Sequence, residues 1–325
     1  MKKIYYVGDM LNNTGPAIVN KSYYQFLKND SYFCFSNNKI IRTLHFISHF
    51  SPSKYFIISG FSKLNYLYIK LCNLFGKKVI YIMHGYLKYE SNFKSSITSK
   101  KIEIEKKILL YSNKVVCVSK LFCDLVKKDN ASIKEKIIYN YNGVDILNGI
   151  EVCKYEQHDS NFFNIVSVGG GNKQKNILSI CKSLNLIKNK KIKFIVIGPE
   201  IDDAAEIKKY KFVEYYNNLN HNELLNKLFN ADLYIQNSYF ETFGITVIEA
   251  LSCGCDILIS KKIGVIDLLE GITESDIIYE PDNIDEIYNK VLKKMEQRGT
   301  CNINKNYNWR NQSQKLMKII KEDLK

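Results

Sequence analysis

The feature of this sequence that most limits its fold is a regular alternation of short apolar runs with longer amphipathic stretches. The runs are rich in β-branched and aromatic residues and apolar almost without a break, as is typical of buried parallel strands. They are Ile4–Val7, Tyr55–Ile58, Val79–Met83, Val115–Val118, Ile137–Tyr139, Asn164–Val168, Phe194–Ile197, Val213–Tyr215, Leu233–Gln236 and Asp256–Ile259. Strands that alternate with helical stretches predict an α/β fold with doubly wound parallel sheets.

One polar segment, Glu151–Phe162, interrupts this alternation before it resumes. The chain has 325 residues, which is long enough for two domains of ordinary size. We therefore predict two Rossmann-like domains that face each other across a cleft, one over residues 1–158 and one over residues 159–309. A final helix over residues 310–325 is expected to pack back on the first domain.

Composition excludes several other classes of protein. With 46% hydrophobic and 25% charged residues, the chain is not expected to be disordered. Its 9 cysteines lack the paired spacing of a zinc site and are too sparse for a disulfide scaffold, so they are expected to be free thiols in a reducing cytosol. No run approaches the ~18 apolar residues of a membrane span, and the short run after Lys2-Lys3 does not resemble a signal peptide. We expect a cytoplasmic protein that is either soluble or bound to a membrane only by its surface.

The positive charge is concentrated in the first half of the chain. Residues 1–150 contain 23 Lys and Arg against 9 Asp and Glu, a net charge of +14, whereas the remaining 24 and 24 cancel. This asymmetry suggests a polyanionic partner for the first domain, such as an anionic membrane surface, a phosphorylated acceptor or nucleic acid. The alternative is a lysine-rich surface that is only solvated.

Each half has a polar, glycine-containing segment just after its first strand. Gly8–Ala17 leads into a helical stretch expected from Ile18, and Gly169–Asn176 leads into another at Ile177. Ligands of open α/β sheets bind at the carboxyl ends of strands, where helix N-termini accept phosphate. Neither segment is a G-x-G-x-x-G or a Walker A motif, so each alone is a weak indication.

The most informative segment is Ser238–Asp256, which follows an apolar strand and contains two glutamates. Glu241 is expected on the loop and Glu249 about one turn into the following helix. Carboxylates at such a place accept hydrogen bonds from the vicinal hydroxyls of ribose or a hexose. The amides near Gly244 and Ile245 open the helix and can meet a diphosphate. The alternative is that Glu241 only caps the helix and Glu249 is only solvated.

The pattern S-x-x-E-x-F-G-x-x-x-x-E-A-x-x-x-G in this segment resembles the signature of the family 4 retaining glycosyltransferases, which have the GT-B fold. The similarity extends over nearly the whole chain, because further elements follow in the family's order. They are Gly15-Pro16, His84-Gly85, Val115–Ser119, Asn142-Gly143-Val144-Asp145, Lys175-Asn176, Gly198-Pro199, Ala231-Asp232 and Asn308-Trp309.

The resemblance implies a role for each matching residue. Glu241 would hydrogen-bond the hydroxyls of the donor sugar, Lys175 would neutralise the diphosphate leaving group, and His84 would lie near the transferred sugar. The donor-binding positions it implies are Gly15, Gly170, Lys173, Phe243, Gly244, Ile245 and Glu249. No cofactor or metal is expected beside the nucleotide-sugar, because the chain has no Asp-x-Asp cluster suited to Mg²⁺ and lysine and helix dipoles take the cation's place.

The resemblance also implies the reaction. We expect a retaining transfer of a sugar from a nucleotide-sugar, with a UDP-sugar as the expected donor, in O-antigen, capsule or exopolysaccharide synthesis. The C-terminal domain would bind the donor and the basic N-terminal domain a glycan or polyprenyl-linked acceptor at the anionic inner face of the plasma membrane. Nucleic acid is not an expected partner, because the chain has no recognisable helix-turn-helix, OB or RNA-recognition signature.

One position departs from the family pattern. Relatives carry an arginine where this chain has Gly170, and glycine offers a phosphate only its amide. Either Lys173 takes over that charge, or the amides of Gly169–Gly171 form an anion-binding nest, or activity is weakened or lost. The alternatives to an enzyme are therefore a non-catalytic nucleotide-sugar-binding protein and, less favoured, a basic nucleic-acid binder.

Overall fold

All ten apolar runs form parallel strands, as predicted, in two separate sheets of six strands each. The computed structural model describes residues 3–12, 14–144, 161–188, 191–299 and 301–322. The chain divides into two compact units, Met1–Asp145 with Asn306–Lys325, and Ile146–Lys305. The boundary predicted between residues 158 and 159 lies outside the described residues.

The first unit contains one parallel sheet in the order β2-β1-β3-β4-β5-β6. Its strands are β1 (Ile4–Val7), β2 (Ser31–Phe33), β3 (Tyr55–Ser59), β4 (Lys78–Met83), β5 (Lys114–Cys117) and β6 (Ile137–Tyr139). Its connecting helices are α1 (Gly15–Leu27), α2 (Lys39–Ser48), α3 (Lys63–Leu74), α4 (Leu87–Glu90), α5 (Ser99–Tyr111) and α6 (Lys120–Asp129).

The second unit contains the other parallel sheet, in the order β13-β11-β10-β7-β8-β9. The strands of this unit are β7 (Phe163–Val168), β8 (Ile192–Ile197), β9 (Val213–Tyr216), β10 (Leu233–Gln236), β11 (Asp256–Ser260), β12 (Leu269–Glu270), β13 (Ile277–Ile278) and β14 (Asn302–Ile303). Its helices are α7 (Ile177–Leu184), α8 (Ala204–Ile207), α9 (His221–Phe229), α10 (Ile245–Ser252) and α11 (Ile284–Glu296). Strands β12 and β14 form a small antiparallel pair outside the sheet.

The final helix, α12 (Trp309–Glu322), belongs to the first unit and packs on α1. The ring of Trp309 meets that of Tyr23 edge to face at 5.4 Å. The amide of Asn140, just after β6, donates to the carbonyl of Gln312 at 3.0 Å. The last segment of the chain therefore completes the core of the first unit.

Two details differ from the sequence-based expectations. Strand β2 was not predicted, because its three residues are too few to give a periodic signal. Helix α1 begins at Gly15 and not at Ile18, because Thr14 Oγ1 accepts from the amide of Ala17 at 3.4 Å and Pro16 fits a first turn. Gly15-Pro16 is thus a helix N-terminus and not a loop.

Strand order brings particular loops together. Strand β7 pairs with β8 on one side and β10 on the other, and β3 lies between β1 and β4. Since parallel strands end at the same edge of a sheet, the segments that follow β7, β8 and β10 meet in the second unit. No helix among the described residues is long and apolar enough to cross a membrane.

Candidate functional site

Two oppositely charged side chains meet at the carboxyl edge of the second sheet. The ammonium group of Lys175, after β7, donates to Glu241 Oε2, after β10, and the two side chains are 23% and 20% exposed. The side-chain Nε2 of Gln236, the last residue of β10, donates to the same oxygen at 3.3 Å. The pair is therefore largely shielded from water but still reachable by a ligand.

The backbone on both sides holds this pair in place. Gln174 Nε2 donates to the carbonyl of Phe240 at 2.9 Å, and the amide of Tyr239 donates to the carbonyl of Gln174 at 3.0 Å. Glu241 itself pairs with the loop after β11, because its amide donates to the carbonyl of Lys262 at 2.9 Å. The carboxylate is thus fixed between two neighbouring loops before any ligand binds.

The helix after Glu241 begins at a glycine that the fold requires. Gly244 has a φ of +99°, and a Cβ there would lie 2.7 Å from Ile263 Cγ2. Helix α10 starts at the next residue, Ile245, so its first-turn amides lie close in sequence to Glu241. The N-terminus of a helix favours anions, because its first amides have no acceptor within the helix.

Glu249 lies in α10 as predicted, but its partner was not predicted. Its Oε1 is 2.9 Å from Nε2 of His221, the first residue of α9, and the hydrogen bond raises the pKa of His221. The Glu249 side chain is 14% exposed and that of His221 is 54% exposed. No pattern in the sequence indicates this contact, because the two residues are 28 positions apart and meet only through the packing of α9 on α10.

The charges of Glu241 and Glu249 both affect the pKa of one buried tyrosine, Tyr234. Burial raises the pKa of Tyr234 well above its ordinary value, and the negative charges of Glu241 and Glu249 raise it further. The Tyr234 hydroxyl donates to Gln236 Oε1 at 3.1 Å, so a hydrogen-bonded chain runs from Tyr234 through Gln236 to Glu241. The two carboxylates thus share a neighbourhood, although among the described residues no ion pair or hydrogen bond joins Glu249 to Lys175 or Glu241.

The glycine loop after β7 does not form the anion-binding nest considered above. The amides of Gly169 and Gly170 donate to the carbonyl of Ile197 at 2.7 and 3.0 Å, and that of Gly171 donates to Pro199 at 3.0 Å. These donors are therefore used within the fold and not directed at a ligand.

Gly170 cannot be an arginine in this backbone. Its φ is +56°, and a Cβ there would lie 2.4 to 2.7 Å from backbone atoms of Gly198 and Pro199. The loops after β7 and β8 cross at this point with backbone against backbone. The departure from the family pattern thus follows from a close crossing of two loops, which excludes any side chain here.

The other expected donor positions lie in different surroundings. Lys173 is exposed, in the same short 3₁₀ turn as Lys175. Phe243 is only 3% exposed, so its ring is a packing group. Gly15 is exposed at the start of α1, and a Cβ there would meet no atom within 4 Å, so nothing in the fold itself requires glycine at this position.

His84 follows β4 in the first unit and belongs to a separate hydrogen-bonded chain. Its Nε2 is 2.7 Å from Ser59 Oγ, which donates its own proton to Asn20 Oδ1 at 2.6 Å. Because the Ser59 hydroxyl has only one proton, it accepts from His84, which fixes the ring as the Nε2–H tautomer. Burial lowers the pKa of His84 to about 4, so the ring is neutral at physiological pH.

The described residues contain no group of three or more His, Cys, Asp or Glu side chains that could hold a metal ion. Two of the charged pairs at the carboxyl edge of the second sheet are the ammonium group of Lys175 with the carboxylate of Glu241, and the carboxylate of Glu249 with the imidazole of His221. Such a set suits a ligand with hydroxyl groups and a negative charge.

Comparison with known sequences gives one family. The model of the glycosyl transferases group 1 matches residues 154–316, half of the chain. Over 154 residues the chain is 25% identical to an uncharacterised 41.2 kDa protein in the cps region of Klebsiella pneumoniae. That match spans 46% of this chain and 43% of the Klebsiella protein.

Comparison with solved structures confirms the predicted fold. HepE from Anabaena, in complex with UDP and glucose, is similar over 98% of this chain and 99% of its own, with a TM-score of 0.75 and 13% identity. Sucrose-phosphate synthase from Thermosynechococcus elongatus is similar over 100% of this chain and 99% of its own, with a TM-score of 0.78 and 14% identity. At such low identities these likenesses show the fold alone.

Proposed function

Because the chain belongs to the group 1 glycosyl transferases, we propose that it transfers a sugar from a nucleotide-sugar to a lipid-linked or surface glycan, with retention of the anomeric configuration. A UDP-sugar is the donor that we propose, and the Anabaena HepE complex with UDP and glucose supports this choice. The match to a protein in a cps region supports a role in surface-polysaccharide synthesis.

The observation that carries the proposal is the contact between Lys175 and Glu241. In it, one carboxylate and one ammonium group are held together beside the N-terminus of α10. Glu241 has lone pairs for the hydroxyls of the donor sugar, and Lys175 has two further N–H donors for a phosphate while one is engaged by Glu241. Glu249, oriented by His221, has its second oxygen for the ribose hydroxyls.

In the proposed reaction the bond between the anomeric carbon and the β-phosphate oxygen breaks, and a bond to the acceptor hydroxyl oxygen forms on the same face of the sugar. The proton of the acceptor passes to an oxygen of the departing diphosphate, so a nucleoside diphosphate is released. Negative charge develops on that diphosphate in the transition state. Each preorganised hydrogen-bond donor directed at it lowers the activation free energy by roughly 3–4 kcal/mol. Lys175, Lys173 and the first amides of α10 are the donors that we propose.

The role proposed for His84 follows from the resemblance, and its neutral ring suits it. Because burial lowers its pKa to about 4, the ring places no positive charge beside the transferred sugar at physiological pH.

The acceptor that we propose is based on the positive charge of the first half of the chain. The first 150 residues have a net charge of +14, which suits an acceptor linked to a polyprenyl diphosphate at the anionic inner face of the plasma membrane. We therefore assign the acceptor to the first unit and the donor to the second.

The test is release of nucleoside diphosphate from a panel of nucleotide-sugars, with and without detergent-solubilised lipid acceptor. We expect one donor to be turned over, and Glu241→Gln to lower kcat about 100-fold or more. Glu296→Gln is the matched control, because it removes an exposed carboxylate on α11. Donor binding without turnover in the wild type would instead favour a non-catalytic binding protein, and unchanged turnover in Glu241→Gln would remove its proposed role.

A further inference from the structure

Helix α2 presents its apolar side to solvent. Ile40, Leu44 and Ile47 are 70%, 63% and 58% exposed. Their spacing of four and three residues places them on one face of the helix. Exposing three large aliphatic side chains in a row is costly, because each contributes roughly 1.5–3 kcal/mol when it is fully buried. Within the part of the chain that the structure describes, this face therefore has no covering partner.

The opposite side of α2 holds the helix in this orientation. Phe46 is 1% exposed and stacks on Tyr68 of α3 at 4.1 Å. Thr43 Oγ1 lies 3.0 Å from the Tyr68 hydroxyl, and His45 Nδ1 lies 2.8 Å from the hydroxyl of Tyr5 in β1. Turning the apolar side inward would break these three contacts, so the exposure is built into the fold.

The neighbouring helix continues the same surface. The right-handed crossovers from β2 to β3 and from β3 to β4 run in the same direction, so α2 and α3 cover the same face of the sheet. On the outer side of α3, Leu67 and Leu74 are 57% and 78% exposed, and exposed Lys63 and Lys70 alternate with them. We define the α2–α3 face as the exposed residues Lys39, Ile40, Leu44, Ile47, Lys63, Leu67, Lys70 and Leu74.

The chain segment that forms this face carries charge of a single sign. Residues 31–89 contain no aspartate or glutamate and eight lysines and arginines. A second copy of this chain on the same face would bring like charges together, because a twofold interface places a patch against itself. A surface with anionic groups and an apolar interior is complementary both to the positive charge and to the exposed aliphatic side chains.

We propose that the α2–α3 face docks onto an anionic lipid bilayer. The aliphatic side chains enter the boundary between headgroups and acyl chains, as those of an interfacial amphipathic helix do. The lysines extend their alkyl stems along them and pair with anionic headgroups, at roughly 1 kcal/mol for each cation near the surface. The docking surface extends the proposed function by naming where an enzyme with a lipid-linked acceptor meets the membrane.

The test is co-sedimentation of the full chain with phosphatidylcholine vesicles that contain or lack phosphatidylglycerol, without donor or acceptor. We expect binding only to the anionic vesicles. The triple variant Ile40→Ser/Leu44→Ser/Ile47→Ser should lower the partition coefficient about tenfold or more, since the apolar contribution is lost. The control is Leu186→Ser/Ile201→Ser/Phe229→Ser, which changes three exposed large apolar side chains in the second unit.

The contribution of charge is tested by the same co-sedimentation with the double variant Lys39→Glu/Lys70→Glu. The control is Lys182→Glu/Lys293→Glu in the second unit, and all four lysines are exposed. Only the first pair should weaken binding. A second measurement uses Leu44→Trp, whose fluorescence should shift to the blue and be quenched by brominated lipids, while the buried Trp309 gives a constant background.

The proposal is overturned if the wild type does not bind anionic vesicles, or if the two triple variants bind equally well. It is also overturned if the wild type is a dimer that the α2 variant makes monomeric without any loss of vesicle binding. Because no donor or acceptor is present, these results are independent of sugar transfer. Transfer to a soluble acceptor without vesicle binding would refute the docking surface alone, and vesicle binding without transfer would refute the enzyme alone.

Discussion

At the scale of single residues, His84 shows how the ends of neighbouring strands determine a protonation state. Its pKa of about 4 lies below that of an unfolded histidine, because burial disfavours the charged ring. The neutral ring therefore adds stability that is complete above about pH 6.5 and is lost as the pH falls toward 4.

We expect His84 to stay neutral, with its proton on Nε2, from about pH 5.5 to 8. Long-range ¹H–¹⁵N NMR spectra report both properties, and the His84→Gln spectrum assigns the signals. Ser59→Ala removes the acceptor of the Nε2 proton and should increase the population of the other tautomer. A ring that titrates near pH 6.5, or a tautomer unaffected by Ser59→Ala, would contradict the derived network.

Alanine substitutions at Gly170 and Gly15 compare a sterically closed position with an open one. Gly170→Ala places a Cβ against the backbone of Gly198 at a positive φ, so we expect a loss of about 2–4 kcal/mol in the free energy of unfolding. Gly15→Ala meets no atom and lies at a helix N-terminus, so we expect a change within about 1 kcal/mol. Urea unfolding followed by circular dichroism measures both, and equal effects would refute the steric account.

With the nest excluded, two of the alternatives left open by the sequence remain: Lys173 takes over the charge of the arginine, or activity is weakened or lost. Since the loop amides of Gly169–Gly171 are used by carbonyls, the second cation for a diphosphate is expected to be Lys173. Lys173→Ala should raise the donor KM about tenfold, whereas Lys182→Ala, an exposed lysine on α7, should leave it unchanged. Equal KM values for the wild type and Lys173→Ala would show that the diphosphate is held without it.

At the scale of elements, a buried carboxylate holds the segment after His84. Glu105 of α5 is 1% exposed, and its carboxylate accepts the amide of Leu87, at the start of α4, at 3.0 and 3.2 Å. Burial outweighs these hydrogen bonds and raises the pKa of Glu105 to about 7. The Glu105 carboxyl of the folded chain therefore stays protonated at pH values at which that of the unfolded chain is ionised. The free energy of unfolding consequently falls as the pH rises from 4.5 through about 7.

Glu105→Gln removes that charge and can still accept one hydrogen bond. Relative to the wild type, its stability should be more favourable at about pH 8 than at about pH 5, by up to about 3 kcal/mol. Urea unfolding at the two pH values measures this difference, and Glu103→Gln, a mostly exposed glutamate of the same helix, is the control. The same difference at both pH values would mean that Glu105 is ionised throughout.

Individual strands and the glutamate-bearing loop were predictable from the sequence, because buried parallel strands are continuous apolar runs. Strand order was not, since no local pattern specifies which strands pair. The resemblance supplied the expectation that Lys175 and Glu241 act together, and the pairing of β7 with β10 explains how they meet. The contacts of His221 and Gly170 depend on the packing of distant segments, so no spacing in the sequence indicates them.

At the scale of the whole molecule, the chain returns to its first unit for its last helix. Truncation after Lys305 removes α12 and exposes the core side of α1, including Tyr23, which is 2% exposed. Loss of the Trp309 ring alone is expected to cost about 3–5 kcal/mol. We expect the truncated chain to bind the dye ANS and to lose protection of α1 in hydrogen exchange. An unchanged exchange pattern in α1 would contradict the packing of α12 on it.

Calorimetric binding of the released nucleoside diphosphate tests most directly whether Lys175 holds the diphosphate and Glu241 the sugar. This ligand has the diphosphate but lacks the sugar. Lys175→Ala should therefore weaken its binding about tenfold or more, while Glu241→Gln should bind it at least as tightly as the wild type and yet fail to turn over the donor. If Lys175→Ala binds the nucleoside diphosphate with wild-type affinity, the ammonium group does not contact the phosphates and the proposed site is wrong.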